Sequence, residues 1–259
     1  MGDEARQQIR FPQERHHRMA ELIAARGQMT IGELIEHFGV SGPTARRDLE
    51  VLSRAGLATR THGGVMAPGQ NGLAEPLFME KLRVHQALKT RIGAAAALGV
   101  EDGQRLLLDS GTTTLALAQA IAGRDVSIVA MDLKVAEAAA SGRTQVSVLG
   151  GEVRNGFYSI VGSSAREQLK ALSFDIFFMA ADAVDPDGIS NSTPEEAEVK
   201  RSGVAGAKRT VLLADHSKLD RRAPTPVCGL DRIDLLVTDR KAASRLDPYR
   251  PRLRAVEFH

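Results

Sequence analysis

The 259-residue chain holds a single cysteine, Cys228. One thiol excludes an intramolecular disulfide and a cysteine-rich zinc site, fits a reducing compartment, and leaves Cys228 to be read as a buried core thiol. Long apolar runs are missing as well. No segment approaches the roughly 20 residues a bilayer-spanning helix needs. The N-terminal stretch, with Arg6, Arg10, Arg15 and Arg18 among Glu and Gln, offers no apolar core for a signal sequence. The expectation is a cytoplasmic protein with no membrane partner. An excess of one charge is also absent, since 34 Lys and Arg face 32 Asp and Glu, so any surface for nucleic acid must be local. There is no internal repeat and no low-complexity tract. Neither the Gly-Lys-Ser/Thr ending of a nucleotide loop nor the spaced glycines of a dinucleotide fingerprint occurs, so no cofactor is implied. His16 and His17 have no Cys or acidic partner at ligand spacing, which argues against a metal and for a place on a helix surface.

What is present divides in two. The length and ordinary apolar content allow more than one domain with a full-sized core. Met19, Leu22 and Ile23 recur at helical spacing between about Glu14 and Ala25, with Gly27 placed to stop the helix. Thr30 suits the N-cap of a second helix whose apolar face is Ile31, Leu34, Ile35 and Phe38, ended by Gly39. Ser41 and Pro43 open a third. On a wheel its Ala45, Leu49 and Leu52 fall together, whereas Arg47, Glu50 and Arg54 point the other way and Thr44 and Arg46 flank them. Gly56 reads as a left-handed cap, Leu57 to Arg60 as the first strand of a wing, and Gly63-Gly64 as its tip.

Helix, turn, arginine-bearing helix and glycine-tipped ribbon make the layout of a winged helix-turn-helix that reads duplex DNA. Its candidate DNA-binding residues are Ser41, Thr44, Arg46, Arg47, Arg60, His62, Gly63 and Gly64, with Arg46 and Arg47 mainly on phosphates. The competing reading pairs Arg46 with Glu50 at i+4 as an ordinary solvated face. His62 is either a contact or a plain wing-tip residue. Asp48, at the edge of the packed face, is expected to pair with a nearby arginine or backbone donor rather than to read bases.

Ala67-Pro68-Gly69-Gln70-Asn71-Gly72 is rich in turn formers, which places a linker over 67–79 between a DNA-binding domain of residues 1–66 and a second domain of residues 80–259. From Glu80 onward, apolar runs of strand length alternate with helical segments: Leu106 to Leu108, Val126 to Ala130, Val146 to Leu149, Ile176 to Met179, Val211 to Ala214 and Leu235 to Thr238. This is the texture of an α/β domain built on a mostly parallel open sheet. Asp109-Ser110-Gly111-Thr112-Thr113-Thr114 leaves a strand and opens a helix, Leu115 to Ile121. Such a turn aims backbone N–H groups and a helix dipole at one point, where a phosphate or carboxylate fits; a capped turn that binds nothing has the same pattern. Three more loops follow strands: Gly150 to Arg154 with Gly151, Ala181-Asp182-Ala183 with Asp187-Gly188, and Asp215 to Lys218. In an open parallel sheet such ends face one crevice. Of the charged run Glu195, Glu196, Glu198, Lys200 and Arg201, only Lys200 is expected in it.

With these motifs in order, the chain resembles the DeoR family of bacterial transcriptional regulators nearly end to end. The resemblance is carried by Val40-Ser41 to Thr44, Arg46-Arg47-Asp48-Leu49, His62-Gly63-Gly64, Leu108 to Thr114, Leu149-Gly150-Gly151 with Arg154, Glu196-Ala197 with Lys200-Arg201, Leu213-Ala214-Asp215 with Ser217-Lys218, and Thr238-Asp239. It implies a winged-helix operator reader joined to a sensor similar in fold to ribose-5-phosphate isomerase. It also implies a homo-oligomer and a phosphorylated sugar or related metabolite as effector, which releases repression of a carbohydrate catabolic operon. The effector-binding candidates are then Asp109, Ser110, Gly111, Thr112, Thr113, Thr114, Asp132, Gly151, Asp182, Lys200 and Lys218. Where the family usually carries Asn-Ser, this chain has Met131-Asp132, and a carboxylate facing the crevice would repel a phosphate and suit a hydroxyl or an amine. The alternative function is a sugar-phosphate isomerase with a helical N-terminal domain, using Asp109, Asp182 and Lys218. No catalytic residues are assigned in the preferred reading.

Overall fold

A computed structural model describes residues 12–26, 28–55, 57–60, 64–66 and 77–259. The chain divides into two compact units, Met1–Leu77 and Phe78–His259. The tract 67–72, Gly27, Gly56, His62 and Gly63 lie outside the described residues.

In the first unit, α1 (Pro12–Arg26), β1 (Gln28–Thr30), α2 (Ile31–Phe38) and α3 (Gly42–Arg54) precede β2 (Thr59–Arg60) and β3 (Gly64–Met66). The ends of α2 are as its residues dictate. Thr30 Oγ1 accepts from the Glu33 N–H while the Glu33 carboxylate accepts from the Thr30 N–H, a closed capping box, and Gly39 sits at φ 60° in the left-handed C-cap. Ser41 caps α3, whose Ala45, Leu49 and Leu52 join Met19, Ile23, Leu34 and Phe38 in one core. The ribbon departs from expectation. It is a three-stranded sheet of order β1-β3-β2, because Gln28–Thr30 pairs with Gly64–Met66 before serving as the cap. Gly64 is therefore not a tip residue. It opens β3 against β1, where a Cβ would lie 2.3 Å from the Met29 carbonyl oxygen. Helix α3 ends on Ala55, whose N–H is taken by Val51 and Ser53.

The second unit opens with α4 (Phe78–Arg83) and α5 (Gln86–Leu98). It continues through β4 (Arg105–Leu108), α6 (Thr112–Ile121), β5 (Ser127–Ala130), α7 (Leu133–Ala139), β6 (Gln145–Val148), β7 (Glu152–Val153), β8 (Ile160–Val161) and α8 (Ser163–Lys170). Then come β9 (Phe174–Ala180), β10 (Ala183–Asp185), β11 (Gly188–Asn191), α9 (Pro194–Gly206), β12 (Ala207–Leu213), β13 (Thr225–Cys228), β14 (Leu235–Thr238) and β15 (Val256–Phe258). Seven strands form one sheet of order β15-β14-β12-β9-β4-β5-β6, with every neighbouring pair parallel. Alternation divides its side chains between two layers. Leu106, Leu108, Ile176, Phe178, Val211 and Leu213 meet Ile92, Leu117 and Val135 of α5, α6 and α7. Leu107, Phe177, Met179, Leu212 and Leu236 meet Ala165, Leu169, Ala197 and Val204 of α8 and α9. Burial on both faces holds for the central strands but not for β6, an edge strand with exposed Gln145, Ser147 and Val148. The short antiparallel pair β7-β8 and the three-stranded antiparallel sheet β10-β11-β13 have no counterpart in the sequence reading. Cys228 lies on β13, half-buried at the margin of the core, with its thiol pushed up to about 11 by burial.

The strand order fixes where a ligand can sit. From β4 the chain runs outward through β5 and β6, then returns to β9 on the other side of β4 and runs outward through β12, β14 and β15. The reversal lies between β4 and β9, and in parallel sheets the crevice opens at the carboxyl ends of such a pair. No helix of the described residues is long and apolar enough to cross a membrane.

Candidate functional site

The reading helix of the first unit presents two faces of opposite character. Ser41 Oγ accepts from the Thr44 N–H at 3.3 Å and pairs with Thr44 Oγ1 at 2.8 Å, so both hydroxyls stand at the exposed start of α3. Arg46 and Arg47 are exposed, and Glu50 is exposed beyond them. Arg60 lies in β2. Asp48, between the two faces, is buried. It receives Arg15 Nε at 2.6 Å, Arg15 Nη2 at 3.0 Å and His16 Nε2 at 2.8 Å. Burial pushes the Asp48 carboxyl up, but these donors outweigh it and hold the group below the usual carboxylate range. Asp48 thus ties α3 to α1, as expected of a structural residue. His16 is not the helix-surface residue its sequence suggested; His17 is exposed on α1, with Nε2 3.3 Å from the Glu21 carboxylate at i,i+4.

In the second unit the predicted anion loop leaves β4 at the switch point. Asp109, 1 % exposed, is committed on both oxygens: Oδ1 accepts from the Ser110 N–H at 2.8 Å, and Oδ2 from the Ala180 N–H at 2.9 Å and from Lys200 Nζ. Lys200 also donates to the Ala180 carbonyl at 3.0 Å, so one buried pair clips β4, β9 and α9 together. Burial pushes the Asp109 carboxyl up and Lys200 opposes it. Helix α6 begins at Thr112, three residues earlier than the sequence suggested, which places the threonines in its first turn. Thr114 Oγ1 donates to the Gly111 carbonyl at 2.8 Å, whereas the hydroxyls of Thr112 and Thr113 make no hydrogen bond among the described residues. Gly111, the N-cap, supplies no side chain, so the first N–H groups of α6 remain for a guest.

Asp132 is not an open carboxylate that faces a ligand. It is fully buried, accepts from the Lys134 and Val135 N–H groups at 2.6 and 3.1 Å, and takes the Ser110 hydroxyl at 2.7 Å. It caps α7 and steers Ser110. Gly151 precedes β7, where a Cβ would lie 2.5 Å from the Val161 carbonyl oxygen, and Gly150 is clamped on both backbone groups by the Gln168 amide. The turn Asp187-Gly188 does not reach the crevice; it closes the β10-β11 hairpin, where Arg222 bridges Asp185 and Asp187.

Asp182, beyond β9, accepts from Lys81 Nζ at 2.9 Å and from the N–H and Oγ of Ser192 at 2.9 and 2.7 Å. Burial raises it, yet Lys81 and Ser192 prevail and hold it far below the carboxylate range. Past β12, the Lys218 ammonium has no hydrogen-bond or ion-pair partner among the described residues, and burial followed by the charge of Lys81 pulls it down. His216 gives its backbone N–H to Asp239 Oδ1 at 2.7 Å, and its ring Nδ1 lies 3.0 Å from both carboxylate oxygens. A carboxylate only accepts, so the proton sits on Nδ1. His85 lies against the same ring, with centroids 5.3 Å apart.

Three site residues were missed by sequence. Lys81 and Lys89, from α4 and α5, reach the cluster around Asp182 and Lys218. Glu196 is not part of a solvated run: it is buried and accepts from Ser159, Asn191 and Arg154. The Arg154 and Glu196 positions belong to motifs quoted above, and their pairing was the available signal; Lys81 and Lys89 stand in no motif.

Comparison with known proteins accords with both units. Residues 15–71 match the DeoR-like helix-turn-helix domain, and residues 84–240 match the DeoR C terminal sensor domain. A putative aga operon transcriptional repressor of Escherichia coli O157:H7 is 29 % identical over 87 % of this chain and 86 % of its own length. A lactose phosphotransferase system repressor of Staphylococcus aureus is 28 % identical over 94 % of this chain and 98 % of its own. Ribose-5-phosphate isomerase A of Methanocaldococcus jannaschii aligns over 52 % of this chain and 54 % of that one at 19 % identity, with a TM-score of 0.38 that bears no weight. Matched by a reader domain at one end and by a sensor domain over more than half its length, the chain belongs to the DeoR family of transcriptional regulators.

Proposed function

We propose that the chain binds operator DNA through α3 and the ribbon, represses a carbohydrate catabolic operon, and is released when a phosphorylated sugar or related metabolite occupies the crevice. The observation that carries the effector half is one place in the fold. The first turn of α6, which has no side-chain cap, and the hydroxyls of Thr112 and Thr113 open at the same strand ends as the Lys218 ammonium, and none of these groups has a partner among the described residues. An anion satisfies both. Ser110 to Thr114 and Lys218 then touch the effector, Gly151 and Asp182 line its site, and Asp109, Asp132 and Lys200 hold the loop in shape.

On DNA, Ser41 and Thr44 approach base edges, and Arg46 and Arg47 lie on phosphates. Arg60, His62 and Gly63 complete the interface from the ribbon, while Gly64 holds β3 against β1. Operators read by this motif are met by paired readers, so the acting species is a homo-oligomer in the cytoplasm. The isomerase alternative is disfavoured by its own candidate base. Asp182 is held far below the range in which a carboxylate abstracts protons well at neutral pH, and Asp109 has no free oxygen.

The test is a binding titration on the DNA upstream of this chain's own reading frame. A salt-sensitive complex is expected, with Arg47→Ala weakening it across sequences and lowering the slope of log affinity against log salt by about 1. An Arg47→Ala complex indistinguishable from wild type overturns the DNA assignment. Sustained turnover of a pentose or hexose phosphate overturns the regulatory one.

A further inference from the structure

We propose that β6 is the edge through which two copies of this chain pair, antiparallel about a two-fold axis, so that two seven-stranded sensor sheets become one. This rests on the homo-oligomer proposed above and names the surface that makes it. The Gln145 N–H reaches the Val126 carbonyl at 3.0 Å and the Leu149 N–H reaches the Ala130 carbonyl at 3.1 Å, so the odd-numbered residues of β6 face β5. The alternate residues, Val146 and Val148, therefore turn their N–H and carbonyl groups outward, and these groups have no partner among the described residues. Gly150, next in the outward series, is already closed. The Gln168 amide accepts from its N–H at 3.0 Å and donates to its carbonyl at 3.1 Å, as a neighbouring strand would. At the other end, the Thr144 N–H is taken by the Ser141 carbonyl at 3.1 Å.

An edge that is to stay single is ordinarily guarded by charge, proline or a bulge. The opposite edge of the sheet is guarded: β15 carries Glu257 and lies between Arg254 and His259. Strand β6 is not, for Gln145-Val146-Ser147-Val148 holds no charge and no proline. Its surroundings are apolar as well. Of the large apolar side chains that stand exposed among the described residues, Leu133, Val148 and Val153 gather at the carboxyl ends of β5 and β6, where a neighbouring copy would cover them.

A two-fold axis pairs the strand with itself, so only the register remains to be chosen. Val146 opposite Val146 would set Val148 against Thr144, whose N–H is spent, and Val148 opposite Val148 would set Val146 against the clamped Gly150. With Ser147 opposite Ser147, Val146 of each copy meets Val148 of the other. Every outward group of both valines is then satisfied while the Gln168 clamp stays shut. The same register brings Arg143 of each copy to the Gly151-Glu152 end of the other. Arg143 and Glu152 are both exposed, and neither has an ion-pair partner among the described residues. The symmetry supplies one to each.

The experiment uses the full chain. Ser147→Cys and Gln145→Cys are made separately on a Cys228→Ser background, so that each copy carries a single thiol. Both positions are exposed on the same side of β6, and register alone separates them. Facing residues of a pair like Ser147 with Ser147 have Cα atoms about 4.5 Å apart, within the roughly 4.4–6.8 Å that a disulfide spans. Residue 145 stands four places out of register with its mate, about 14 Å along the strand. Under mild oxidation Ser147→Cys should give a covalent dimer and Gln145→Cys should not. Val148→Pro removes an outward donor where an edge strand tolerates proline, so it should weaken dimerisation about tenfold in sedimentation velocity while the far-ultraviolet circular dichroism stays as in the wild type. If the chain is oligomeric but Ser147→Cys crosslinks no better than Gln145→Cys, or if folded Val148→Pro dimerises as the wild type does, this inference falls and the homo-oligomer stands. If the wild type sediments as a monomer both free and on operator DNA, both fall.

Discussion

At the scale of single residues, Asp48 illustrates what separates a structural charge from a functional one. It stands between Arg47 and Leu49 on a helix read as DNA-binding, yet it faces Arg15 and His16 from α1. Asp48→Ala removes the Asp48 carboxylate from the Arg15 guanidinium, which is 9 % exposed. Removing one partner of a buried pair costs about 3–5 kcal/mol. We expect that loss in the denaturant midpoint of the first unit, together with weaker operator binding. The pH dependence has a definite sign. Because the folded carboxyl titrates below its ordinary value of 3.8, the pair contributes fully above that value, and the contribution disappears as acid protonates the folded state. Unfolding between pH 5 and pH 2, followed by circular dichroism, should therefore show the wild type losing its advantage over Asp48→Asn as pH falls. The role of Asp48 was legible because wheel geometry places it beside Ala45, Leu49 and Leu52. Its partner was not, because Arg15 lies 33 residues away and only helix packing brings it near. Lys81 and Lys89 were illegible for the same reason, having no motif and meeting Asp182 and Lys218 only across the fold.

At the scale of elements, the contact between α5 and α6 decides whether the anion loop is correctly presented. Gly93 on α5 faces the backbone of α6, where a Cβ would lie 2.6 Å from Leu117 N and 2.7 Å from Ala116 C. Backbone cannot move aside as a side chain can. Gly93→Ala gains about 1 kcal/mol in helix propensity, but it must part the two helices, and overpacking of this kind costs about 1–3 kcal/mol. The expected result is a lower melting temperature and weaker phosphate binding together, since α6 carries Thr112 and Thr113 at its start. A variant with unchanged melting and unchanged phosphate affinity would show that the helix pair yields freely. The six apolar runs were all found as strands; burial on two faces writes a continuous apolar signal in the central ones, whereas β6 was found although it is an exposed edge. Strand β15, a three-residue edge, and the pairs β7-β8 and β10-β11-β13 carry no such signal and emerged only from backbone pairing. The capping box at Thr30 and Glu33 was half legible: Thr30 is a recognisable cap, but its second use as the end of β1 depends on β3.

At the scale of the whole molecule, reader and sensor are separate compact units on one chain, and repression relieved by a metabolite requires that their ligands be thermodynamically linked. Linkage is reciprocal. If saturating effector weakens operator binding by some factor, saturating operator must weaken effector binding by the same factor, whatever route the signal takes. For allosteric proteins this factor is typically about 5–150, or roughly 1–3 kcal/mol. The measurement is a closed cycle on the full chain at one salt concentration: operator affinity with and without a sugar phosphate, and sugar-phosphate affinity with and without operator. A factor different from 1 on both arms establishes a coupled sensor and reader, and a factor of 1 overturns it, since equality of the arms follows from linkage alone.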